Sequence, residues 1–474
     1  MSLARRVAWN TIAQAAARVV TLALSVLTTV LLTRHLGVSG YGAYVTVTVY
    51  VPFFALFFDS GVTTLVVRSL STDPSRTDLF REALGLRLAL SLPVALLAYG
   101  IALLLYGGSA DTPIREGIVI GLPVILLSSA SSTLTAQFQA RLRMDRVALA
   151  EIAGQVVAAG LIVVIVLVDG SLNAVIGAVV AGAFVNVAVL LVLARRVTSV
   201  RPLMHPRRWL ALLRRALPLG LALMIATIYF RADAILLSIL KGAHAVGIYG
   251  VAYRLLEAIV AFPGFFYVSV FPLLSQAYAR RDLTNLRDVT QRAFDLLVLA
   301  AVPVVLGTLV LAPQIVHALA GSGFDAAVTP LRIVIAGAGL MFVNGLFSYV
   351  LIAIDRQVLL LWSGLATLTF NLALNLALIP SYSYTAAAAV ATGSELLALV
   401  VLLVLVRRYA GYLPTLGVSL KAVVAGAVMA AGLLVLPSNL ALGVVAGAFL
   451  YGAVLMLLRT HRSLELRELL GAGR

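Results

Sequence analysis

A chain of 474 residues in which 62% are hydrophobic and only 11% are charged has more apolar surface than a soluble protein of that length can bury, because charged residues normally form about a quarter of a soluble domain. The sequence contains no cysteine, which excludes disulfides and thiolate metal sites. Its formal net charge of +16 does not indicate nucleic acid as a partner. The arginines that supply the charge lie in short loops between apolar runs, where they usually encode membrane orientation.

Fourteen apolar segments are long enough to cross a bilayer, which requires about 20 residues. Each is predicted to be a helix, because a transmembrane barrel would show alternating strands of about ten residues. The sequence therefore predicts an all-α polytopic membrane protein. We interpret the first segment as a retained span and not as a signal peptide, because it is long and Arg18 interrupts it. In chain order the segments are Thr11–Leu32, Ala43–Val66, Leu88–Leu105, Ile118–Phe138, Val147–Val168, Leu172–Leu193, Ala216–Leu240, Val246–Leu274, Phe294–Leu311, Leu331–Ala353, Val358–Ile379, Thr385–Val406, Leu420–Leu436 and Leu440–Leu458.

The distribution of basic residues predicts that both termini are cytoplasmic. With the N-terminus inside, the cytoplasmic segments hold 28 of the 35 Lys and Arg residues and the outer loops hold four. Such an asymmetry is typical of a correct topology, so we expect a multi-pass protein of the cytoplasmic membrane. Arg68, Arg76, Arg81 and Arg87 are all assigned to one cytoplasmic segment, and seven arginines fall between Arg195 and Arg215.

Short motifs recur in the same order along the chain, and the spacing between the two members is nearly the same for every pair. The paired motifs are Gly37–Tyr44 with Gly242–Tyr249, Asp145-Arg146 with Asp355-Arg356, and Arg195-Arg196 with Arg407-Arg408. They predict two six-helix lobes in the same orientation, residues 1–198 and 216–408. A basic cytoplasmic linker, residues 199–215, joins the lobes, and residues 409–474 form two extra transmembrane helices and a cytoplasmic tail. Parallel repeats of this kind place a substrate between the halves, near the membrane midplane.

The segment Leu32–Tyr44, which reads LTRHLGVSGYGAY, resembles the first-loop signature of the polysaccharide-biosynthesis flippases, the O-antigen and exopolysaccharide translocases. Tyr229–Asp233, with Ala252–Glu257 after it, resembles their seventh and eighth helices. The resemblance implies membership of the multidrug/oligosaccharidyl-lipid/polysaccharide exporter superfamily, to which the lipid II flippases also belong. It implies a V-shaped pair of six-helix lobes that alternate between inward-open and outward-open states. It also implies flipping of a polyprenyl-diphosphate oligosaccharide for cell-surface polysaccharide biosynthesis.

Three arginines lie well inside predicted spans, away from the span ends: Arg18, Arg231 and Arg254. A charge at bilayer depth is costly and usually functional. Arginine suits a diphosphate because its planar fork binds phosphate oxygens in a bidentate manner. We therefore expect these side chains to hold the diphosphate of the substrate. The alternative is internal pairing, for example between Arg254 and Glu257, which are three residues apart on one helix face.

Two carboxylates and two amides complete the candidate site. Asp59 and Glu395 lie within predicted spans, where a carboxylate can exchange a proton or Na⁺ and couple transport to a gradient. Asn371 and Asn375, four residues apart, are the best candidates for sugar hydroxyls. Both kinds of residue have a structural alternative, in which they hydrogen-bond neighbouring helices at about 0.6 kcal/mol per contact.

Two rival functions remain open from the sequence. A drug/cation antiporter of the same superfamily would line its cavity with carboxylates, whereas three intramembrane arginines favour an anionic substrate. A membrane saccharide polymerase or ligase would need acid/base residues on a large outer loop, but the longest outer segment, Ala312–Pro330, offers only His317 and Asp325. A genomic neighbourhood of glycosyltransferases would favour flipping, and a drug-responsive regulator would favour efflux.

The predicted chemistry is transport and not catalysis. We expect no catalytic residue, no cofactor and no metal, and the absence of a P-loop pattern argues against ATP-driven pumping. Coupling to H⁺, Na⁺ or the membrane potential is expected instead. The predicted partners are a lipid-linked oligosaccharide, membrane lipids and polysaccharide polymerase machinery.

Overall fold

The computed structural model describes residues 3–59, 61–73, 77–435 and 439–458. Arg76 and the predicted cytoplasmic tail from residue 459 lie outside these residues. The described chain forms thirteen α-helices, joined by short loops and by two 3₁₀ segments, Ser109–Asp111 and Ser322–Ala327. The helices are α1 Leu3–Asp59, α2 Val62–Thr72, α3 Asp78–Leu105, α4 Thr112–Gly121, α5 Pro123–Ala140, α6 Met144–Leu167, α7 Leu172–Arg195, α8 Pro206–Ala279, α9 Leu283–Ala320, α10 Val328–Ala353, α11 Gln357–Ala410, α12 Gly417–Val435 and α13 Leu440–Leu457.

The helices agree with the predicted number of spans once their breaks are considered. Ten helical segments of the described chain are long and apolar enough to cross a membrane, and the bent pair α4 and α5 makes up to eleven. Three of these are broken near the middle, at Gly37 in α1, Gly242 in α8 and Ser383 in α11. Dividing the three at their breaks gives fourteen spans, so the prediction of an all-α polytopic fold is confirmed.

The breaks in α1 and α8 are equivalent and depend on glycine. Gly37 has φ 65° and ψ −174°, and Gly242 has φ 74° and ψ −176°. This region of backbone conformation is essentially restricted to glycine. The two positions are the first residues of the repeated G-x4-G-x-Y motif. These glycines therefore allow the chain to turn tightly between the two halves of each helix.

The turns before α6 and before α11 also match each other. After α5, Arg143 N donates to Phe138 O at 2.8 Å, and Leu142 has φ 52°. After α10, Arg356 N donates to Leu351 O at 2.8 Å, and Asp355 has φ 59°. Both are helix ends closed by a left-handed residue and a six-to-one hydrogen bond. The geometry pairs Arg143 with Arg356, and not Arg146 with Arg356 as the motif match suggested.

The chain divides into two compact units, Met1–Gly247 and Ile248–Arg474. Unit 1 contains two buried apolar clusters, one around Phe80 and Leu190 and one around Val47 and Ile118. Unit 2 contains a large cluster around Phe347. A smaller cluster packs α12 and α13 against α9. The predicted lobe boundaries at residues 198, 216 and 408 stay a prediction.

Residues 201–208, within the predicted linker, dock on the first turns of α3. Arg81 Nε donates to Arg201 O at 2.9 Å, and Leu203 N donates to Arg81 O at 3.0 Å. A Cβ at Gly85 would lie 2.3 Å from Leu203 O, so only glycine permits this approach. Arg208 Nη1 donates to Glu82 Oε1 at 2.8 Å. The hydrogen bond and charge of Glu82 raise the pKa of the Arg208 guanidinium.

The segment between α11 and α12 docks on α9 in the same manner. Gln291 Nε2 donates to Thr415 O at 3.1 Å, and Thr415 N donates to Gln291 Oε1 at 2.6 Å. The hydroxyls of Tyr412 and Thr290 lie 2.6 Å apart. The number of residues from Arg81 to Gln291 is nearly the same as the number that separates the members of each motif pair. The two docked segments are therefore a further element of the repeat.

Candidate functional site

Helices α1 and α6 run parallel and are held in register at both ends. At one end the amide of Asn10 donates to the carbonyl of Leu142. At the other end His35 Nε2 lies 2.7 Å from Gly170 O. The stretch of chain from Asn10 to His35 is nearly as long as the stretch from Leu142 to Gly170, which contains α6. Interpolation between the two contacts therefore gives the residue of α6 that lies beside each residue of α1.

This register places Arg18 of α1 at the level of Glu151 of α6. Both residues are exposed on unit 1, and the charge of Arg18 acts on the Glu151 carboxylate. Among the described residues, none forms an ion pair with the Arg18 guanidinium or hydrogen-bonds to it. Gln155 follows one turn above Glu151 and is half-buried. Arg18, a predicted site residue, is therefore exposed at the level of Glu151, and its binding of the diphosphate stays a prediction.

Glu151 was not among the predicted site residues. It is the only charged residue between Val147 and Val168, just as Arg18 is the only one between Thr11 and Thr33. A search of each span for a lone charge would have found both. Their neighbourhood depends on the register of α1 and α6, which the sequence does not reveal.

The other two intramembrane arginines lie in different units. Arg231 is half-buried in the first half of α8, in the same unit as Arg18. Arg254 follows the break in α8 and belongs to unit 2. Its Nη1 lies 3.0 Å from Glu257 Oε2, with 43% of the Arg254 side chain exposed. The pairing alternative for Arg254 is thus present, and its role in binding the diphosphate stays a prediction.

Asn371 and Asn375 are buried inside unit 2. Asn375 Nδ2 donates to Asn371 Oδ1 at 3.0 Å, and Asn371 Nδ2 donates to Ser394 Oγ at 3.1 Å. Asn375 is 0% exposed and Asn371 is 2% exposed. All of these groups lie on the two halves of α11, so the amides link the halves. Their binding of sugar stays a prediction, since in this conformation a ligand cannot reach them.

Glu395 is also buried, at 6% exposure. Its Oε2 accepts from Asn344 Nδ2 at 2.8 Å, and the same amide donates to the Glu395 carbonyl at 3.0 Å. Tyr267 lies nearby and donates to Phe342 O at 2.8 Å. A buried carboxylate between α10 and α11 is suitably placed to change the packing of these helices when its charge changes. Ion coupling through Glu395 stays a prediction.

Asp59, the second predicted coupling residue, is the last residue of α1, and its side chain lies outside the described residues. The predicted second span, Ala43–Val66, is interrupted directly after it. Gly61 has φ 74°, and α2 begins at Val62. The apolar pattern continues across this break, and therefore hydropathy alone predicted one uninterrupted helix.

Arg87 is a further arginine within a candidate membrane-spanning helix, Asp78–Leu105. It was assigned to a cytoplasmic segment, but α3 begins at Asp78 and buries the Arg87 side chain to 1% exposure. Its guanidinium donates to Thr133 Oγ1 at 2.6 Å, Thr63 Oγ1 at 2.7 Å and Ser132 Oγ at 2.9 Å. Arg87 therefore joins α2, α3 and α5 into one body.

A model of the family described as polysaccharide biosynthesis protein matches residues 7–278, and a model of the MatE family matches residues 218–377. A search of curated proteins found no match. The first match covers more than half of the chain, so the predicted family is confirmed.

Solved structures of the same fold include flippases and drug transporters. A lipid II flippase, MurJ, in an inward closed conformation superposes with a TM-score of 0.79 at 14% identity, covering 95% of this chain and 99% of that one. An inward-facing multidrug resistance MATE family transporter of the MOP superfamily gives 0.68 at 13% identity, with 83% and 94% covered. A MOP superfamily transporter from Pyrococcus furiosus gives 0.60 at 15% identity, with 90% and 96% covered. These likenesses confirm the predicted fold.

Proposed function

This chain belongs to the polysaccharide biosynthesis protein family, and from that premise we propose that it is a membrane transporter of the MOP type that flips a polyprenyl-diphosphate oligosaccharide across the cytoplasmic membrane. The lobes would alternate between inward-open and outward-open states. Both termini would lie in the cytoplasm, where the basic segments are concentrated. The product would feed the polymerase machinery of cell-surface polysaccharide biosynthesis.

The main support for this proposal is the environment of the Arg18 side chain. It is the only charged residue of its span, it is exposed, and its guanidinium has no hydrogen-bonding partner among the described residues. An arginine in a span faces a protein interior or a water-filled space and not lipid. A guanidinium in such a space binds phosphate oxygens with a fork of donors. Arg231, in the same unit, supplies a second positive charge for a diphosphate.

A drug/cation antiporter is the second candidate, because the MatE model matches residues 218–377. Its substrate would be cationic, and the arginines would then repel it. The two functions therefore differ in the sign of the effect of these arginines. Removing Arg18 and Arg231 should abolish transport of an anionic lipid but leave or improve transport of a cationic drug.

The test uses Arg18→Ala and Arg231→Ala, singly and together, with glycan export in cells and flipping in reconstituted vesicles as readouts. Each single change should reduce flipping at least about tenfold, since a hydrogen bond between charged groups contributes about 1.5–3 kcal/mol. Arg→Lys should rescue only partly, because an ammonium lacks the planar fork. Arg332→Ala is the matched control. Arg332 is exposed, and its Nε donates to Leu309 O at 3.0 Å. Full flipping by the double variant at normal membrane levels would refute the proposal.

The driving force is tested separately through Glu395. Glu395→Gln keeps the shape of the side chain and removes its charge. If Glu395 couples transport to a gradient, this variant should change the dependence of flipping on imposed H⁺ or Na⁺ gradients. A profile identical to that of the wild type would return Glu395 to a structural role, such as its hydrogen bond to Asn344.

A further inference from the structure

We propose that Glu151 competes with the substrate's diphosphate for Arg18, and thereby limits how tightly the protein holds its anionic lipid. This inference rests on the proposed function, in which Arg18 binds the diphosphate. It assigns to unit 1 a second functional charge, opposite in sign to the first.

The placement of the two residues supports a functional pair. Each is the only charged residue of its span, and the register of α1 and α6 brings them to one level. Both are exposed, and Gln155 continues the polar face of α6 by one turn. The exposed apolar face of α6 is a different one and includes Leu149 and Val156. A charged pair away from the apolar face is expected to border a water-filled space.

Competition follows from the chemistry of the guanidinium. Without substrate the site is close to neutral, because the Glu151 carboxylate offsets Arg18. A diphosphate carries more charge than a carboxylate and takes the planar donor fork of Arg18. Once the diphosphate has taken Arg18, Glu151 loses the charge that offset it, and no other charge of α1 or α6 within these spans replaces that charge. This loss weakens binding, and transport requires such weakening, because a substrate that binds too tightly is not released.

The alternative role for Glu151 is contact with a sugar hydroxyl next to the diphosphate. The two roles predict different effects of Glu151→Gln on a ligand that carries no sugar. Loss of competition strengthens the binding of such a ligand, whereas loss of a sugar contact leaves it unchanged. A probe without sugar therefore separates the two roles without knowledge of the natural glycan.

The experiment measures the dissociation constant of undecaprenyl diphosphate for the full-length protein in nanodiscs. Glu151→Gln should tighten binding about tenfold, Arg18→Gln should weaken it about tenfold or more, and Glu151→Gln should have no effect in the Arg18→Gln background. Glu151→Asp, which keeps the charge, should bind as the wild type does. Glu116→Gln is the matched control, because Glu116 is an exposed carboxylate that accepts from Asn173 at 2.7 Å, remote from Arg18. In vesicles containing a lipid-linked glycan, Glu151→Gln should slow flipping although binding is tighter.

Each outcome decides between the ideas. Unchanged or weaker binding in Glu151→Gln would overturn the competition, as would equal tightening in the presence and absence of Arg18. Normal binding in Arg18→Gln would instead overturn the diphosphate site, whatever Glu151 does. If Glu151→Gln does not reach the membrane, Glu151→Ala replaces it as the variant without the charge. Its dissociation constant for undecaprenyl diphosphate is then compared with that of Glu151→Asp, which keeps the charge.

Discussion

The contact between the two repeated glycine motifs gives the most direct prediction. A Cβ at Gly42 would lie 1.7 Å from Ala243 O and 2.8 Å from Gly247 N, and a Cβ at Gly247 would lie 2.1 Å from Val38 O. Gly42 corresponds to Gly247 in the repeat, and Val38 corresponds to Ala243. The contact is therefore nearly symmetric, with each motif placing its second glycine against the first turn of the other. We predict that Gly42→Ala and Gly247→Ala each force this contact apart.

The size of the effect follows from what the new methyl group meets. The new methyl group meets backbone atoms, which cannot rotate out of its way as a side chain can. A Cβ atom essentially never lies within 3.0 Å of a heavy atom of this kind. At Gly42 the helices must therefore separate until the 1.7 Å approach reaches 3.0 Å. Overpacking costs about 1–3 kcal/mol. We expect a cost near the upper end of that range, because the methyl group meets backbone atoms. At about 1.4 kcal/mol per factor of ten, a cost of about 3 kcal/mol reduces the population of the closed contact by about a hundredfold.

The assay is disulfide formation between cysteines at Ser39 and His244. Their side chains already lie 3.4 Å apart, from Oγ to Nδ1, and the chain has no cysteine of its own. At a fixed oxidant concentration, Gly42→Ala and Gly247→Ala should each slow crosslinking by a similar factor. The double variant should be little slower than either single one, because one separation accommodates both methyl groups.

Gly100→Ala and Gly177→Ala are the controls, since a Cβ at either position meets nothing within 4 Å. Undiminished crosslinking in Gly42→Ala, at normal membrane levels, would refute the reasoning. The reasoning would also be refuted if the double variant slowed crosslinking by the product of the two single factors. The crosslink itself should stop transport if the outer ends must separate during each cycle, and reduction should restore it.

Three further changes test the buried polar groups and the docked segments. Arg87→Lys should destabilise the protein by about 2–3 kcal/mol, because an ammonium cannot reach all the hydroxyl partners of the guanidinium; an unchanged melting temperature in detergent would contradict this. Asn344→Asp should destabilise more than Asn344→Leu, because it places a second carboxylate directly beside Glu395; equal melting temperatures would show that the charge of Glu395 is not felt there. Gln291→Ala should free Thr415 and accelerate proteolysis between α11 and α12, whereas an unchanged cleavage rate would mean that other contacts hold this segment.

The fold was predictable from the sequence because the membrane environment directly determines two features: the apolar segments and the uneven distribution of Lys and Arg between the loops of the two sides. The repeat was also readable, since glycine at positions 37 and 242 serves a backbone conformation that other residues rarely adopt. Helix ends were less accurate. The predicted third span began at Leu88, because Arg81 and Arg87 read as loop charges, whereas α3 begins at Asp78. Hydropathy cannot distinguish a charge in a loop from a charge satisfied by hydroxyls inside a helix bundle.

The sequence defined the candidate site only as a set of residue types, and their roles stay a prediction. Arg18, Arg231 and Glu395 stood out because a charge within a span is rare. The contacts of each side chain depend on how the helices pack, and helix packing cannot be inferred from a single sequence. Asn371 illustrates this, because the same i to i+4 spacing with Asn375 suits a ligand face or an internal link. Glu151 was overlooked for the related reason that its significance comes from a neighbour on another helix.

The docking of residues 201–208 on α3 has a consequence for dividing the chain into fragments. A cut after Thr198 would separate the first six spans from the remaining eight. However, Leu203, Arg208 and Ser238 on the second fragment contact residues of the first, the last through a 2.7 Å hydrogen bond to Tyr106. The first fragment would therefore lack part of its own compact unit. We predict that co-expressed fragments recognise each other through these surfaces and assemble without the peptide bonds of the linker.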